Sequence, residues 1–441
     1  MRALLLVLAV SALALPAAAQ DLQQVYRDAK AYDAQYGAAR YALQAGLEKL
    51  PQGRSLLLPS LGLSANMTSS RTETDPHSPS TIPNTLRDGR SYGYSLSFSQ
   101  PLFRMQNIYQ YNQSEFQVKQ AEAVFGQAAQ DLIVRTAQAY FDVLAAQDTL
   151  ALVQAQKTAI GEQLAQAKRN FEVGTATITD THEAQARFDL SGSQEIAALN
   201  DLETKRSALQ QIAGKAYPVL SPLRPQVRLT PPNPASMQNW VELAEKQGYS
   251  VQIQETAAEI AGLEAKRATA GHYPTLDIVA SYGTTSQTAS QLSTIPSNVT
   301  SGTVGLQLAL PIYQGGAISS REREAAALYE RSKQDLENAR RSTALVARQS
   351  YLGVTNGIAQ VGALEQALVS SQSALDSNKL GYEVGVRINI DVLNAQQQLF
   401  STRRDLAVAR YNTITSHLRL KAAVGSLREE DLEEVNRALV P

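Results

Sequence analysis

The sequence predicts a mainly α-helical, internally duplicated protomer that contributes four β-strands to a membrane β-barrel shared between chains. Three observations predict this fold class. Matching segments recur in the same order about 211 positions apart. Four short segments alternate apolar and polar residues, as half-buried strands do. Two proline-free segments of about 70 residues carry the apolar heptads of a coiled coil. Each half of the chain therefore combines a pair of strands with a long helical hairpin.

The duplication extends over nearly the whole chain. Four pairs of segments match in order, namely 58–61 with 273–276, 100–103 with 310–313, 171–174 with 382–385, and 213–214 with 424–425. The predicted regions are a signal peptide at 1–19, a first structural repeat at 20–214, a proline-rich linker at 215–239, a second repeat at 240–425, and a C-terminal tail at 426–441. We expect the linker and the tail to form a belt around the outside of an assembly.

The N-terminus predicts export. Arg2 precedes an apolar run from Ala3 to Leu15, which is followed by three alanines, as in a secretory signal peptide. The run is about 13 residues long, shorter than the ~20 residues of a membrane-spanning helix. The sequence contains no cysteine, which excludes disulfides and the lipid-bearing cysteine of a lipoprotein.

Composition narrows the functional classes. The net charge of −1 gives no basic field for nucleic acid, so no nucleic-acid partner is expected. No segment after the N-terminus is apolar enough for a transmembrane helix, so any crossing of a membrane must use strands. The contact with lipid is then expected from the apolar faces of those strands.

The four predicted strands have one apolar and one polar face. In the second, Tyr92, Tyr94, Leu96 and Phe98 alternate with serines and glycine; similar patterns occur near 61–67, 276–282 and 303–310. A soluble sandwich would show the same alternation, but it needs more strands and a core of its own. Polar loops are predicted at 69–90 and 284–301, and each contains Ser-Thr-Ile-Pro.

Four strands cannot close a barrel alone, because single-chain barrels begin at about eight strands and an open edge is not tolerated in lipid. The barrel must therefore be shared. Two protomers would supply eight strands and three would supply twelve, and the count alone leaves both open.

The helical segments predict two hairpins. Helices are expected at 102–171 and 178–213 in the first repeat, and at 312–382 and 388–424 in the second. The longer helix of the first pair would span about 105 Å and the shorter about 54 Å. Amphipathic segments at 22–50 and 240–269 could stack end to end with the shorter helices and make up the difference.

These features together resemble the TolC family of outer-membrane efflux and secretion channels over essentially all of the mature sequence. The resemblance is carried by Leu22–Tyr26, Leu57–Leu61, Gln100–Leu102 and Gly381–Gly385. It implies a homotrimer with one twelve-stranded barrel in the cell outer membrane and a large periplasmic extension. It also implies two partners, a periplasmic adaptor protein and an inner-membrane ABC or proton-driven transporter.

No chemistry of catalysis or metal binding is predicted. The histidines His77, His182, His272 and His417 lack ligand spacing, and no nucleophile motif or phosphate loop is present. We therefore expect that the protein is not an enzyme and that it has no catalytic residue, bound metal or cofactor. The chief alternative to a channel is a non-conducting coiled-coil tether of the cell envelope. Whether a channel would carry drugs or a secreted protein is left open by the sequence.

The hairpin tips carry the candidate functional residues. Gly174 and Gly385 fit left-handed positions that end a helix. Thr179 or Asp180 is predicted to cap the next helix, with Glu183 completing a capping box. The family resemblance adds a periplasmic gate in which Tyr382 and Arg387 bond to Asp180, beside Thr179. Capping alone is the competing interpretation.

Two further roles follow from the resemblance. The family has two successive acidic rings at the narrow end; Asp391 occupies the first position, whereas Asn394 replaces the acid of the second. We expect a weaker cation preference as a result, and an Asn394→Asp change is expected to restore it. The adaptor is expected to dock at Val173, Gly174 and Thr175 and at Val384, Gly385 and Val386.

Overall fold

The computed structural model describes residues 20–76, 85–288 and 295–440. The predicted signal peptide, the first Ser-Thr-Ile-Pro motif, the start of the second, and His77 lie outside these residues. The described elements are helices α1 (Leu22–Tyr32), α2 (Ala34–Leu47) and α3 (Lys49–Ser55), strands β1 (Ser60–Thr74) and β2 (Thr85–Phe103), helices α4 (Met105–Glu172), α5 (Ile178–Ala213), α6 (Met237–Gln247) and α7 (Tyr249–Thr269), strands β3 (Thr275–Gln287) and β4 (Ser297–Ala309), and helices α8 (Ala317–Glu383), α9 (Asn389–Ala423) and α10 (Glu429–Asn436).

The chain divides into two compact units. One contains the described residues of Met1–Tyr41, Ala123–Gln252 and Asn338–Pro441, and the other contains those of Ala42–Glu122 and Ile253–Glu337. The second unit holds all four strands. The predicted mainly α fold with four strands is confirmed, whereas the predicted domain boundaries stay predictions.

The four strands form one antiparallel sheet in the order β1-β2-β3-β4. One face is apolar: Leu63 pairs with Leu96, which pairs with Tyr282, and the next row contains Leu61, Phe98 and Ala280. This face is uncovered, since Leu63 is 74% exposed and Val304 is 83% exposed. The opposite face is polar and carries hydroxyl contacts such as Ser64 to Ser95 at 2.9 Å. Within the described ranges the sheet has an exposed apolar face and two edges without a partner strand, which suits it to lipid contact and further strand pairing.

The predicted loops at 69–90 and 284–301 are wrong in extent, because the strands continue into them. β1 runs to Thr74 and β3 runs to Gln287, each paired in register with its neighbour. Serine and threonine side chains support this polar extension; the hydroxyls of Thr284 and Thr300 lie 3.0 Å apart across the β3–β4 pair. The polar residues of these segments therefore belong to strands that extend beyond the apolar part of the sheet.

Two predicted helix starts are also wrong. Leu102 belongs to β2, which continues to Phe103 past a register shift at Pro101. Ile312 precedes α8 by five positions, because Gly315 and Gly316 adopt φ values of 61° and 80° before the helix begins at Ala317. Adjacent positive φ angles are compatible with a turn of glycines and incompatible with an α-helix.

The predicted helical segments at 22–50 and 240–269 are each interrupted. α1 ends before Asp33, whose Oδ1 accepts a hydrogen bond from Tyr36 N at 2.6 Å and so caps the start of α2. Gly248 separates α6 from α7 with ψ of 130°, and a Cβ there would lie 2.6 Å from Ala244 O. None of the helices in the described ranges is sufficiently long and apolar to span a membrane.

The core of the first unit brings the linker and the tail together. Its fully buried residues include Leu22, Leu132, Tyr140, Phe141, Leu209 and Leu432. Tyr140 Oη donates to Ser221 O at 2.8 Å, and Leu223 forms an antiparallel bridge with Leu439. The linker and the tail are thus packed segments of this unit, while their arrangement as a belt around an assembly stays a prediction.

Candidate functional site

The tip of the first hairpin, formed by α4 and α5, is built from backbone geometry and one capping box. Gly174 adopts φ of 78°, and the N–H groups of Thr175 and Ala176 donate to Asn170 O at 2.8 and 3.2 Å. These bonds satisfy a carbonyl left free at the end of α4. The predicted left-handed role of Gly174 is therefore confirmed.

The predicted cap of α5 is wrong. Thr177 is the N-cap: its Oγ1 accepts from Asp180 N at 3.3 Å, and Asp180 Oδ2 accepts from Thr177 N at 3.0 Å. Asp180 is thus the third helical residue of the box, and Thr179 already lies inside the helix. The reason is the three-residue spacing that a capping box requires, which Thr177-Ile178-Thr179-Asp180 satisfies.

The tip of the second hairpin, formed by α8 and α9, has the same turn without the capping box. Gly385 adopts φ of 81°, and the N–H groups of Val386 and Arg387 donate to Gly381 O at 2.9 and 3.1 Å. Ile388 is the N-cap of α9 and offers no side-chain oxygen. Arg387 Nη1 instead lies 3.5 Å from Asp391 Oδ2, one turn into the helix.

Both tips expose apolar side chains. Val173 is 72% exposed, and Val384 and Val386 are 64% and 75% exposed. Gly174 and Gly385 have open space where a Cβ would stand. Each tip therefore presents a small exposed apolar surface, and the open space beside its glycine can admit a partner.

Two polar links join the first hairpin to the second. Asn170 Nδ2 donates to Tyr382 Oη at 3.2 Å. Arg187 donates from Nη1 to Gln397 Oε1 at 2.5 Å and from Nη2 to Asn394 Oδ1 at 3.1 Å. These links connect α4 with α8 and α5 with α9, near the tips.

The structure separates the predicted gate residues within one protomer. Tyr382 bonds to Asn170, Arg387 pairs with Asp391, and Asp180 Oδ2 is held by Thr177. In the described part of the chain, Asp180 Oδ1 has no hydrogen-bond partner. Contacts of Tyr382 and Arg387 with an Asp180 of another protomer stay a prediction.

The predicted ring residues lie on one side of α9. Asp391 and Asn394 are spaced by three residues, and Gln397 follows at the same spacing, so the three share a helix face. We name these three residues the α9 stripe. Asn394 and Gln397 are exposed and Asp391 is half-buried. The buried side of α9 carries Val392, Leu393 and Leu399.

The apolar contacts behind the stripe pack α9 against the first hairpin and against α8, its partner in the second hairpin. Leu393 is clustered with Ile160, Leu164, Ala167 and Ala184 of the first hairpin. Val392 and Leu399 are clustered with Leu375 of α8, and the Tyr382 ring packs against them. Beside these clusters, the buried amide of Asn389 finds no hydrogen-bond partner among the described residues.

Sequence reasoning missed Asn170, Arg187 and Gln397. Arg187 lies between Ala184 and Phe188, which belong to the apolar seam of the first hairpin, and positions flanking a coiled-coil seam commonly form links between helices. That signal could have identified Arg187. The identity of the partners carries no local signal, because Asn170 and Tyr382, like Arg187 and Gln397, lie more than 200 positions apart in the sequence.

Metal binding finds no support in the described ranges, which hold no group of three or more histidine, aspartate and glutamate residues arranged to bind a metal. His182 is exposed on α5, and His417 is half-buried. Desolvation by burial, with nearby Lys421, holds the pKa of His417 below its ordinary value.

Comparison with known proteins accounts for nearly the entire chain. Residues 8–215 and 240–426 match the family described as "Outer membrane efflux protein". The chain is 33% identical to outer membrane protein TolC of Vibrio cholerae, over 96% of this chain and 94% of the relative. It is 32% identical to the proteases secretion protein PrtF of Dickeya chrysanthemi, over 98% of this chain and 94% of the relative.

Solved structures share the fold at lower identity. The outer membrane protein VceC of Vibrio cholerae superposes with a TM-score of 0.77 at 19% identity, covering 92% of this chain and 96% of VceC. The CmeC outer membrane channel of Campylobacter jejuni gives a TM-score of 0.76 at 17% identity, covering 95% and 90%. With both halves matched and relatives aligned almost end to end, the chain is shown to be a member of the outer membrane efflux protein family.

Proposed function

We propose that three copies of this chain form an outer-membrane channel with a periplasmic tunnel. The channel is the exit duct of a tripartite efflux pump or a type I secretion system. It is closed at the hairpin tips and is opened by a periplasmic adaptor and an inner-membrane transporter. The family is one of channels, so the chain moves its cargo without altering it chemically.

The observation that carries the proposal is the unfinished sheet. Its apolar face is exposed, and among the described residues β1 and β4 each leave one edge without a partner strand. Lipid offers no hydrogen bonds to an open edge, so β4 of one protomer must pair with β1 of the next. Three protomers with four strands each close a twelve-stranded barrel, which supports the trimer that the family resemblance implies.

Gating is proposed to separate the two hairpins at their tips. The links there are few and polar, and the residues that make them are largely exposed or half-buried. Links of this kind contribute about 1 kcal/mol each, whereas the buried clusters behind them are apolar. The tips can therefore part at the link between Asn170 and Tyr382, while Leu393 stays packed on the first hairpin and the helices of each hairpin stay packed together. In the trimer, Tyr382 and Arg387 are proposed to reach the free Oδ1 of an adjacent Asp180, next to Thr179.

The adaptor is proposed to dock at the apolar tips. Val173, Thr175, Val384 and Val386 are exposed, and the adjacent glycines leave space for an approaching helix. Docking at this position would act directly on the links between hairpins. The relatives include both TolC proteins and protease secretion proteins, so efflux and protein secretion are both carried forward as cargo classes.

The trimer is tested by the native mass of the detergent-extracted mature chain. The proposal predicts a mass of three protomers, and a stable monomer would contradict it. A variant with Leu306→Asp on the apolar face should extract or assemble poorly, since a charge at this position faces lipid. Ser281→Asp, on the opposite face of the adjacent strand, serves as the matched control and should assemble normally.

A structural tether of the envelope is the alternative from another class. It would share the coiled coils and the outer-membrane location, but it would not conduct ions. Conductance across a planar lipid bilayer therefore separates the two functions.

A further inference from the structure

We infer that Arg187 sets the ion preference at the narrow end of the channel; the inference rests on the proposed channel function. The guanidinium of Arg187 is fixed by two acceptors, Gln397 Oε1 at 2.5 Å and Asn394 Oδ1 at 3.1 Å. Both acceptors are neutral amide oxygens. The positive charge therefore remains uncompensated, because arginine stays protonated in proteins.

The position of this charge follows from the α9 stripe. Asn394 and Gln397 share a face with Asp391, the residue proposed to line the constriction. Arg187 approaches that face from α5 and bonds to both exposed members of the stripe. If Asp391 faces the lumen, the guanidinium of Arg187 lies at the lumen wall as well.

The local charge is then positive. Asp391 is paired with Arg387 at 3.5 Å, and Arg187 forms no ion pair with the described residues. Two guanidinium groups and one carboxylate leave one net positive charge per protomer among the groups bonded to the stripe. Charges lining a narrow passage are focused by its low-dielectric wall, so a threefold repeat of this charge opposes cation entry.

This geometry changes the expectation for Asn394→Asp. An aspartate at position 394 would place a carboxylate where Asn394 Oδ1 now accepts from Arg187. The contact would become a salt bridge, and the new negative charge would be neutralised locally. Counting acidic rings predicts a large gain in cation preference, whereas the structure predicts a small one.

Arg187 also links α5 to α9, so its charge and its link must be separated. Arg187→Lys retains the charge and loses the planar fork that binds two oxygens at once. Arg187→Gln loses the charge. If Arg187 had a purely structural role, both variants would have the same effect on ion preference. If its charge sets the ion preference, only Arg187→Gln would change it.

The experiment measures the K⁺/Cl⁻ permeability ratio from reversal potentials in a salt gradient across planar bilayers. Arg187→Gln is expected to raise the ratio by about twofold or more, and Arg187→Lys to leave it near the wild-type value. Asn394→Asp should shift the ratio weakly alone and strongly together with Arg187→Gln. Arg169→Gln is the matched control, because Arg169 is an exposed arginine near the same tip and does not bond to the stripe.

If the wild-type channel conducts and Arg187→Gln leaves the K⁺/Cl⁻ permeability ratio unchanged, the inference is overturned and the proposed function stands. Equal shifts from Asn394→Asp with and without Arg187 would overturn it too. If Arg187→Gln fails to assemble, Asn394→Asp alone decides, since a large cation shift beside an intact Arg187 contradicts neutralisation. A trimer that carries no current overturns the proposed function and this inference with it.

Discussion

The double change Tyr382→Phe with Arg387→Ser is predicted to open the channel without dissociating the trimer. Phenylalanine keeps the ring that packs near Leu375 and Val392, but it loses the Oη atom that accepts from Asn170 Nδ2 at 3.2 Å. Serine removes the 3.5 Å ion pair between Arg387 and Asp391. The buried clusters of both hairpins are left intact.

The magnitude follows from the one lost contact that joins the two hairpins. A hydrogen bond contributes about 1 kcal/mol. An exposed ion pair contributes ~0–1 kcal/mol. The pair between Arg387 and Asp391 lies within the second hairpin, so each protomer loses about 1 kcal/mol of closed-state stability through the link between Asn170 and Tyr382, and a gate that opens in three protomers together loses about 3 kcal/mol. About 3 kcal/mol is a factor of roughly 150 in a two-state equilibrium, so a gate that is open about 1% of the time should become open about half of the time or more.

The assay is single-channel conductance in planar bilayers, which should rise severalfold in the double variant. The matched control is Tyr411→Phe with Arg403→Ser. It removes a tyrosine hydroxyl bonded to Asp148 at 2.6 Å and an exposed arginine bonded to Gln372, both outside the tips. Its conductance should stay at the wild-type value. If the tip variant conducts like wild type at trimeric mass, the tip residues act as helix termini and not as a gate.

Three further predictions concern the hairpins. Thr177→Ala should lower the Tm through the loss of about 1 kcal/mol of capping free energy, whereas Thr179→Ala should change the Tm little. A larger loss of Tm in Thr179→Ala would instead support the cap predicted from the sequence. Gly174→Ala should lower the free energy of unfolding by about 1 kcal/mol because φ is 78° there, while Gly192→Ala in the interior of α5 should raise it slightly. Equal Tm shifts in the two variants would contradict the left-handed role of Gly174. The folded-state pKa of His417 lies below 6.5, so the folded form binds fewer protons and stability falls as the pH drops through 6.5. His417→Gln should therefore reduce the loss of Tm between about pH 7 and pH 5, and an identical pH profile would show that His417 is not responsible.

The repeated elements were predictable because their signals are local. Alternation at Tyr92, Tyr94 and Leu96 indicates a strand whatever its neighbours, and the glycines at 174 and 385 indicate helix ends. The capping box at Thr177 was equally local, but the sequence prediction placed the cap two or three positions too late, at Thr179 or Asp180. Its three-residue spacing to Asp180 was present in the sequence.

The remaining features depend on tertiary packing. The break at Asp33 is supported by Arg135, whose guanidinium binds its carboxylate from 102 positions away. The strand extensions at Thr74 and Gln287 depend on pairing with a neighbouring strand. The links from Asn170 to Tyr382 and from Arg187 to Asn394 require two hairpins to be placed side by side. One sequence carries no direct signal of that placement.

Ionic current through the purified wild-type trimer in a planar bilayer tests the central claim most directly. We expect discrete conductance steps of uniform size in wild type, with larger steps in Tyr382→Phe with Arg387→Ser. A trimer that inserts into the bilayer and yields no current in either form would contradict a channel and identify the chain as a tether.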